Sequence, residues 1–409
     1  MSETLILGEN YTISTDPEVT QLNNNIVVVG PSGAGKTMSY AEMCLLKTQN
    51  SSMIVTLSKR RLVQDHSAAS ERRGYRVYDL DLTDPASSGI TYDPMHYVRT
   101  NADVTYLAQS IVMANPRKRG NLVADPFWDD AAISLLSSII AFERYRKTNP
   151  SFVDIYERFS TLRIKENGDT IETNLDTMFD RLDHEEPGCF ACQCWKTFRY
   201  APMRTASSIY SSLNVTMDTI FSPELLKAMR EKPHIDFKQL TAERSVLFVT
   251  TSAVNPSLNA FAGLVYSQAV KELFEYAESR EDGVLPIPIH LLCDDFAVGA
   301  QIPSFAQYIS IFREKHISVS ILLQSESQLR SMYGDADATT IINNCDRYIY
   351  MGGMDLLTTR SIAERMNLPL SDVMYMPLGQ EFIFERGRKP VITSRWHITE
   401  DPDWQALHQ

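Results

Sequence analysis

Cysteine is scarce in this chain. Six residues among 409, without regular spacing, exclude the disulfide scaffold of a small secreted domain and suggest a reducing compartment. Long apolar runs are missing as well. The longest, ISLLSSIIAF (133–142), is half the ~20 residues of a membrane-spanning helix. Acids precede it and ERYRK follows, so a buried helix is expected there. The opening MSETLILGEN has neither the basic start nor the apolar core of a secretory signal, and the chain as given is expected to be cytoplasmic. Positive charge is in deficit: 39 Lys and Arg stand against 51 Asp and Glu, a net charge of -12. The surface as a whole therefore does not attract nucleic acid, and any DNA contact must rest on local basic patches. No internal repeat or low-complexity tract is visible. With 44% apolar and 22% charged residues, the composition excludes disorder, and the length suffices for two or more domains.

What is present alternates. After a short β segment (TLILGENYTIST), NNNIVVVG (23–30) reads as a strand ending at a glycine, and KTMSYAEMCLLKTQN continues as a helix. SSMIVTLS (51–58) and YRVYDLDL (75–82) read as further strands, which suggests a parallel α/β sheet. From about 99 to 230 helical patterns dominate. Strands return at RSVLFVTTS (244–252), IPIHLLCDD, HISVSILLQS (316–325) and DRYIYMGG (346–353), and QEFIFERGRKPVITSRW reads as a terminal hairpin. The expected organisation is an α/β domain over residues 1–98 and 236–409, interrupted by an all-α insertion over 99–235.

GPSGAGKT, comprising Gly30, Pro31, Ser32, Gly33, Ala34, Gly35, Lys36 and Thr37, fits G-x-x-x-x-G-K-[ST] between a predicted strand and a predicted helix. Backbone N–H groups of such a loop and the following helix N-terminus cradle phosphate oxygens. Lys36 is then expected to reach the β- and γ-phosphates of ATP, and Thr37 to ligate Mg2+. A second acid must complete the metal shell from a neighbouring strand end, and the run LLCDD supplies Asp294 for the metal and Asp295 for the attacking water. The alternative for these acids is a strand end carrying two solvated carboxylates. The separation of 258 positions from Lys36 to Asp294 (294 − 36) leaves small P-loop kinases and GTPases behind.

The run CDDFAVGAQIPSFAQYISIFREKHISVSILLQSESQL resembles the motif region of type IV coupling proteins, the TraG/TraD-like ATPases of bacterial conjugation. NNNIVVVGPSGAGKT, DPFWDDAAISLL, RTASSIYSSL and INNCDRYIYMGG extend the resemblance over most of the chain. It implies a RecA-like P-loop NTPase with a mostly parallel central sheet and an inserted all-α domain. It further implies an Mg2+-dependent ATPase, hexameric when assembled and monomeric in isolation, that recruits or pumps single-stranded DNA or a relaxase–DNA complex into a type IV secretion channel. By the same resemblance Gln324 senses the γ-phosphate, and Arg313, 19 residues after Asp294 (313 − 294), is a finger reaching the next subunit's nucleotide. Related full-length proteins sit at the cytoplasmic face of the membrane through an N-terminal anchor that this sequence does not show. An FtsK/HerA-like DNA pump shares the core motifs, and a nucleotide-gated docking receptor with little hydrolysis is the alternative from another class.

Two features depart from the family pattern. Relatives usually carry Asp-Glu where this chain has Asp294-Asp295, and the turn VTLSKRRL is basic where relatives often have Asp-Pro-Lys-Gly. Among basic clusters, NPRKRGN offers Arg117, Lys118 and Arg119 as DNA-backbone contacts, with SKRR and ERYRK as weaker candidates. His184, Cys189, Cys192 and Cys194 include a C-x-x-C knuckle but lack a second one, so buried thiols are expected rather than zinc ligands. Trp128 is expected to anchor a core rather than to stack on bases.

Overall fold

The β-branched runs of the sequence become strands buried on both faces, as a parallel sheet covered by helices requires. In the computed structural model, which describes residues 4–114, 126–168, 170–252, 255–296 and 302–407, β1 (Thr4–Gly8) and β2 (Tyr11–Ser14) form an antiparallel hairpin. The central strands are β3 (Ile26–Val29), β4 (Ser52–Leu57) and β5 (Arg76–Asp81). A small pair, β6 (Ile164–Asn167) and β7 (Thr170–Thr173), stands apart. β8 (Ser245–Thr250), β9 (Ile289–Cys293), β10 (Ile317–Leu323), β11 (Arg347–Tyr350), β12 (Gln380–Glu385) and β13 (Val391–Ser394) complete the set.

The main sheet has the order β13-β12-β11-β3-β10-β9-β4-β8-β5. Every neighbouring pair from β11 to β5 is parallel, and β12 and β13 extend one edge in antiparallel fashion. Because β3, β9 and β10 run the same way, the residues that follow them (Gly30, Asp294 and Gln324) emerge at one edge. That edge is where open α/β sheets bind ligands.

Between β5 and β8 the chain builds the helices Asn101–Met113, Pro126–Arg146, Phe152–Ser160, Asp176–Glu185, Phe190–Arg199, Met203–Ile220 and Pro223–Glu231. This region is not purely helical: β6 and β7 pair as a hairpin, and Gly168, after Asn167, takes the positive φ of 61° that such a turn needs. The apolar core is continuous, running from Val27 and Leu291 in the sheet to Leu135 and Trp195 in the insertion. Ion pairs fasten the junction, Arg99 to Glu272 at 2.7 Å and Lys271 to Asp103 at 2.6 Å, both against the long helix Pro256–Glu278. Asp93 accepts the N–H groups of Met95 (2.8 Å) and Phe152 (3.0 Å), which pins the start of another insertion helix. Among the described residues no helix is long and apolar enough to cross a membrane.

The two tryptophans of the insertion part ways. Trp195 is buried, lies flat on Phe179 at 4.2 Å between ring centroids, and donates its indole N–H to Asp176 at 3.0 Å. Trp128, expected in the core, is instead 43% exposed beside Phe127, itself 50% exposed. Pro126 starts their helix, so both rings sit on its first turn, half-covered in a shallow cleft with Lys196, Tyr200 and Pro202. Trp195→Ala should lower the unfolding free energy by about 3–5 kcal/mol, whereas Trp128→Ala should stay within about 0.5 kcal/mol. Urea denaturation of the two variants checks both.

Candidate nucleotide site

Packing dictates the first glycine of GPSGAGKT, and backbone conformation the other two. A Cβ on Gly30 would meet the Ala34 Cβ at 2.9 Å and the Met351 Cβ at 3.0 Å. Gly33 (φ 78°) and Gly35 (φ 92°) adopt left-handed backbone that L side chains avoid. The loop then opens a helix that is wound as a π-helix over Lys36–Ala41 before continuing as α-helix over Glu42–Lys47. Such widened turns are rare and frequent at functional sites.

Lys36 is buried, and its ammonium donates to the carbonyls of Gly30 at 2.6 Å and Pro31 at 3.2 Å. Burial lowers its pKa, opposed by the charges of Asp295 and Asp294. The Thr37 hydroxyl donates to Asp294 Oδ2 at 3.1 Å, across 257 residues of sequence. The Asp294 carboxyl is held above its ordinary range by burial and then by Asp295, against the pull of Thr37 and Lys36. A hydroxyl and a half-buried carboxylate, with a second acid adjacent, form a hard-oxygen donor set suited to Mg2+, which keeps most of its shell as water and phosphate oxygens.

Asp295 donates its N–H to Asp294 Oδ1 at 3.1 Å and has a positive φ of 49°. Aspartate is among the few non-glycine residues that visit this conformation readily. The turn itself thus favours aspartate over the longer glutamate at this position. Gln324 Nε2 lies 3.5 Å from Asp295 Oδ1, and Gln328 donates to Gln324 Oε1 at 3.4 Å. Ser32, Asp294, Asp295 and Gln324 share the wall of a cleft of about 240 Å³.

Other expected residues lie elsewhere. Arg313 precedes β10 and donates to the Gln21 carbonyl at 3.0 Å, beside Asn24, Ser51 and Pro288 at the opposite ends of the strands. It is a strand's length, about 20 Å at 3.3 Å per residue, from the phosphate loop of its own chain. Arg117, Lys118 and Arg119 lie outside the described residues. Of the weaker basic candidates, Arg60 grips both oxygens of Asp79 and reaches Asp81 at 3.2 Å, and Lys147 pairs with Asp154 at 2.7 Å. Among the described residues, no group of three or more His, Cys, Asp or Glu could hold a metal ion. The Cys192 thiol donates to the Phe179 carbonyl at 3.5 Å.

One neighbour of the loop escaped sequence reasoning. Arg395, just past β13, donates Nη1 to the Ala34 carbonyl and Nη2 to the Met351 carbonyl at 2.8 Å. Nearby on β12, Glu381 is fully buried and neither carboxylate oxygen has a hydrogen-bond partner. No local pattern announces a contact between residues 361 apart.

The profile of the family described as type IV secretory system conjugative DNA transfer matches residues 2–366. The chain belongs to that family. Comparison with curated proteins gives no sequence match. Among solved structures, the bacterial conjugative coupling protein TrwBdeltaN70, in a trigonal form with sulphate, is similar over 93% of this chain and 88% of its own, at 16% identity and a TM-score of 0.68. The plasmid coupling protein TrwB in complex with ADP and Mg2+ is similar over 93% and 87%, at 16% identity and a TM-score of 0.65. VirB4 of Thermoanaerobacter pseudethanolicus covers 99% and 98%, at 13% identity and a TM-score of 0.61. At such identities the likeness shows the fold, a RecA-like P-loop NTPase, which agrees with the resemblance read from the motifs.

Burial pushes the Glu381 carboxyl of this coupling-protein relative up to about 8, against the opposing charge of Arg395. An ordinary glutamate titrates near 4.3, so between these values the folded chain binds more protons than the unfolded chain. The stability this provides is complete below the ordinary value and is lost as pH rises through the folded one. Relative to the parent, Glu381→Gln should therefore gain stability as pH rises from about 5, levelling off above about 8. Thermal unfolding across that range measures the difference.

Proposed function

We propose that the chain is the nucleotide-driven motor of conjugative DNA transfer, hydrolysing ATP to recruit and move single-stranded DNA or a relaxase–DNA complex toward a type IV secretion channel. The observation that carries this reading is the meeting of Lys36, Thr37, Asp294, Asp295 and Gln324 at one edge of the sheet, in a chain of the conjugative DNA transfer family. The TrwB structures in complex with ADPNP, with GDPNP and with ADP and Mg2+ support a nucleotide as the ligand of this fold.

In this reading the loop from Gly30 to Thr37 wraps the phosphates, and Lys36 leaves its loop carbonyls to donate to phosphate oxygens. Thr37 and Asp294 would hold Mg2+, which when bound neutralises charge on the β- and γ-phosphate oxygens. Asp295 orients the attacking water and accepts its proton, and Gln324, braced by Gln328, fixes Asp295 and reads the γ-phosphate. Residues 99–235 form the insertion domain between the two parts of the motor. Arg313, remote from its own loop, serves the site of a neighbouring subunit in a hexameric ring, where a guanidinium fork stabilises transition-state charge. DNA contacts are assigned to Arg117, Lys118 and Arg119; of the weaker clusters, Arg60 and Lys147 are engaged within the chain.

Two variants test the assignment. Lys36→Ala should abolish hydrolysis with an unchanged far-UV spectrum, and normal turnover in the folded variant would overturn the phosphate-site reading. Asp295→Asn tolerates the same left-handed turn but lacks the carboxylate, so it should bind ATP within a few-fold of the parent while turnover falls about 10² or more. Lost ATP binding in Asp295→Asn would contradict its place beside the water.

A further inference from the structure

Arg395 belongs to neither the phosphate-loop motif nor the acidic pair, and it lies beyond the residues 2–366 that match the family. Its backbone N–H is tied to the Gly379 carbonyl at 2.8 Å, so the side chain springs from a fixed point on the terminal hairpin. From there the guanidinium bridges two segments: the Ala34 carbonyl in the loop and the Met351 carbonyl at the end of β11. Met351 is itself fastened to β3, donating its N–H to the Val29 carbonyl at 2.7 Å. The bridge thus closes a ring from the loop, through the hairpin, to the strand from which the loop departs.

The consequence lies in one peptide plane. A trans peptide points its C=O and N–H in opposite directions. Holding the Ala34 carbonyl toward Arg395 therefore aims the Gly35 N–H away from the guanidinium. Gly35 is where the loop needs such a restraint: glycine has no side chain to disfavour the flipped plane, and its φ is 92°. A flipped plane would present a carbonyl oxygen, not an N–H, to a phosphate. The guanidinium also packs close to Gly35, with Nη1 3.6 Å from where a Cβ would stand. One rigid fork can serve both carbonyls, which a single ammonium does less well.

We infer that Arg395 is a positioning residue of the nucleotide site, presetting the Ala34–Gly35 peptide so that the Gly35 N–H donates to a nucleotide phosphate. The inference rests on the nucleotide-site reading above. It makes the terminal hairpin part of the binding apparatus rather than an edge extension of the sheet.

The test uses the full chain, a fluorescent ATP analogue and Mg2+. Arg395→Ala should bind the analogue about tenfold more weakly, the scale of a lost charge-assisted hydrogen bond, while kcat at saturating ATP stays within a few-fold. Arg395→Lys, which keeps the charge but not the fork, should recover part of the affinity and provides the reading if the alanine variant fails to fold. Parental affinity in both variants would overturn the clamp and leave the nucleotide site standing. A fall in kcat with affinity unchanged would mark a loss of folded enzyme and would overturn it equally. If the parent chain bound no nucleotide, the nucleotide-site reading would fall first and carry the clamp with it.

Discussion

Parallel register across β9, β10 and β3 is the constraint from which the site follows. Leu323 stands opposite Val29, and Ile321 stands opposite Cys293, so the strands release Gly30, Gln324 and Asp294 at neighbouring points of one edge. A slip of one residue would turn every side chain of a strand to the other face, and the hydrogen bond from Thr37 to Asp294 would be lost. Buried polar contacts strengthen this register. His290 on β9 bonds Ser318 at 2.7 Å and Ser320 at 2.8 Å on β10, and Ser320 meets Tyr40 of the phosphate-loop helix at 2.6 Å. Burial holds His290 down to about 4, so it sits there neutral. The chain of contacts couples the strand that ends at Asp294, the strand that ends at Gln324 and the loop's helix into one unit.

The rest of the protein braces that unit from both sides. On one side the insertion shares the sheet's apolar core and is fastened to the long helix Pro256–Glu278 by buried carboxylates. On the other, the antiparallel edge carries the fully buried Arg347, paired with Glu385 at 2.9 Å, and ends in the Arg395 fork on the phosphate loop. Unpairing a buried ion is costly, which ties the edge strands firmly to β11 and, through it, to β3.

Much of this was legible in the sequence because it was written locally. GPSGAGKT carries its glycine conformations and its lysine in eight consecutive residues, and the apolar runs around residues 26, 54, 247 and 290 could only be strands of a buried sheet. The acidic pair was visible for the same reason. What escaped depends on tertiary context. The left-handed turn at Asp295 is set by the strand end, not by its neighbours in sequence. Exposure of Trp128 reflects which turn of a helix the bundle happens to cover. Arg60, at the start of a helix, looks like a nucleic-acid contact until Asp79 and Asp81 of β5 take up its charge. Arg395 meets the loop only because β12 and β13 fold back along the sheet.

The proposed motor links nucleotide turnover at this edge to the movement of DNA. Its most direct test is steady-state phosphate release by the full chain with Mg2+ and ATP, with and without single-stranded DNA, over a range of protein concentration and salt. Turnover should be slow alone and rise with DNA and with protein concentration. The DNA effect should weaken as salt rises, as sequence-independent phosphate contacts require. Turnover indifferent to DNA at every concentration, or ATP binding with no turnover at all, would contradict a DNA motor; the second result would point to a nucleotide-gated receptor instead.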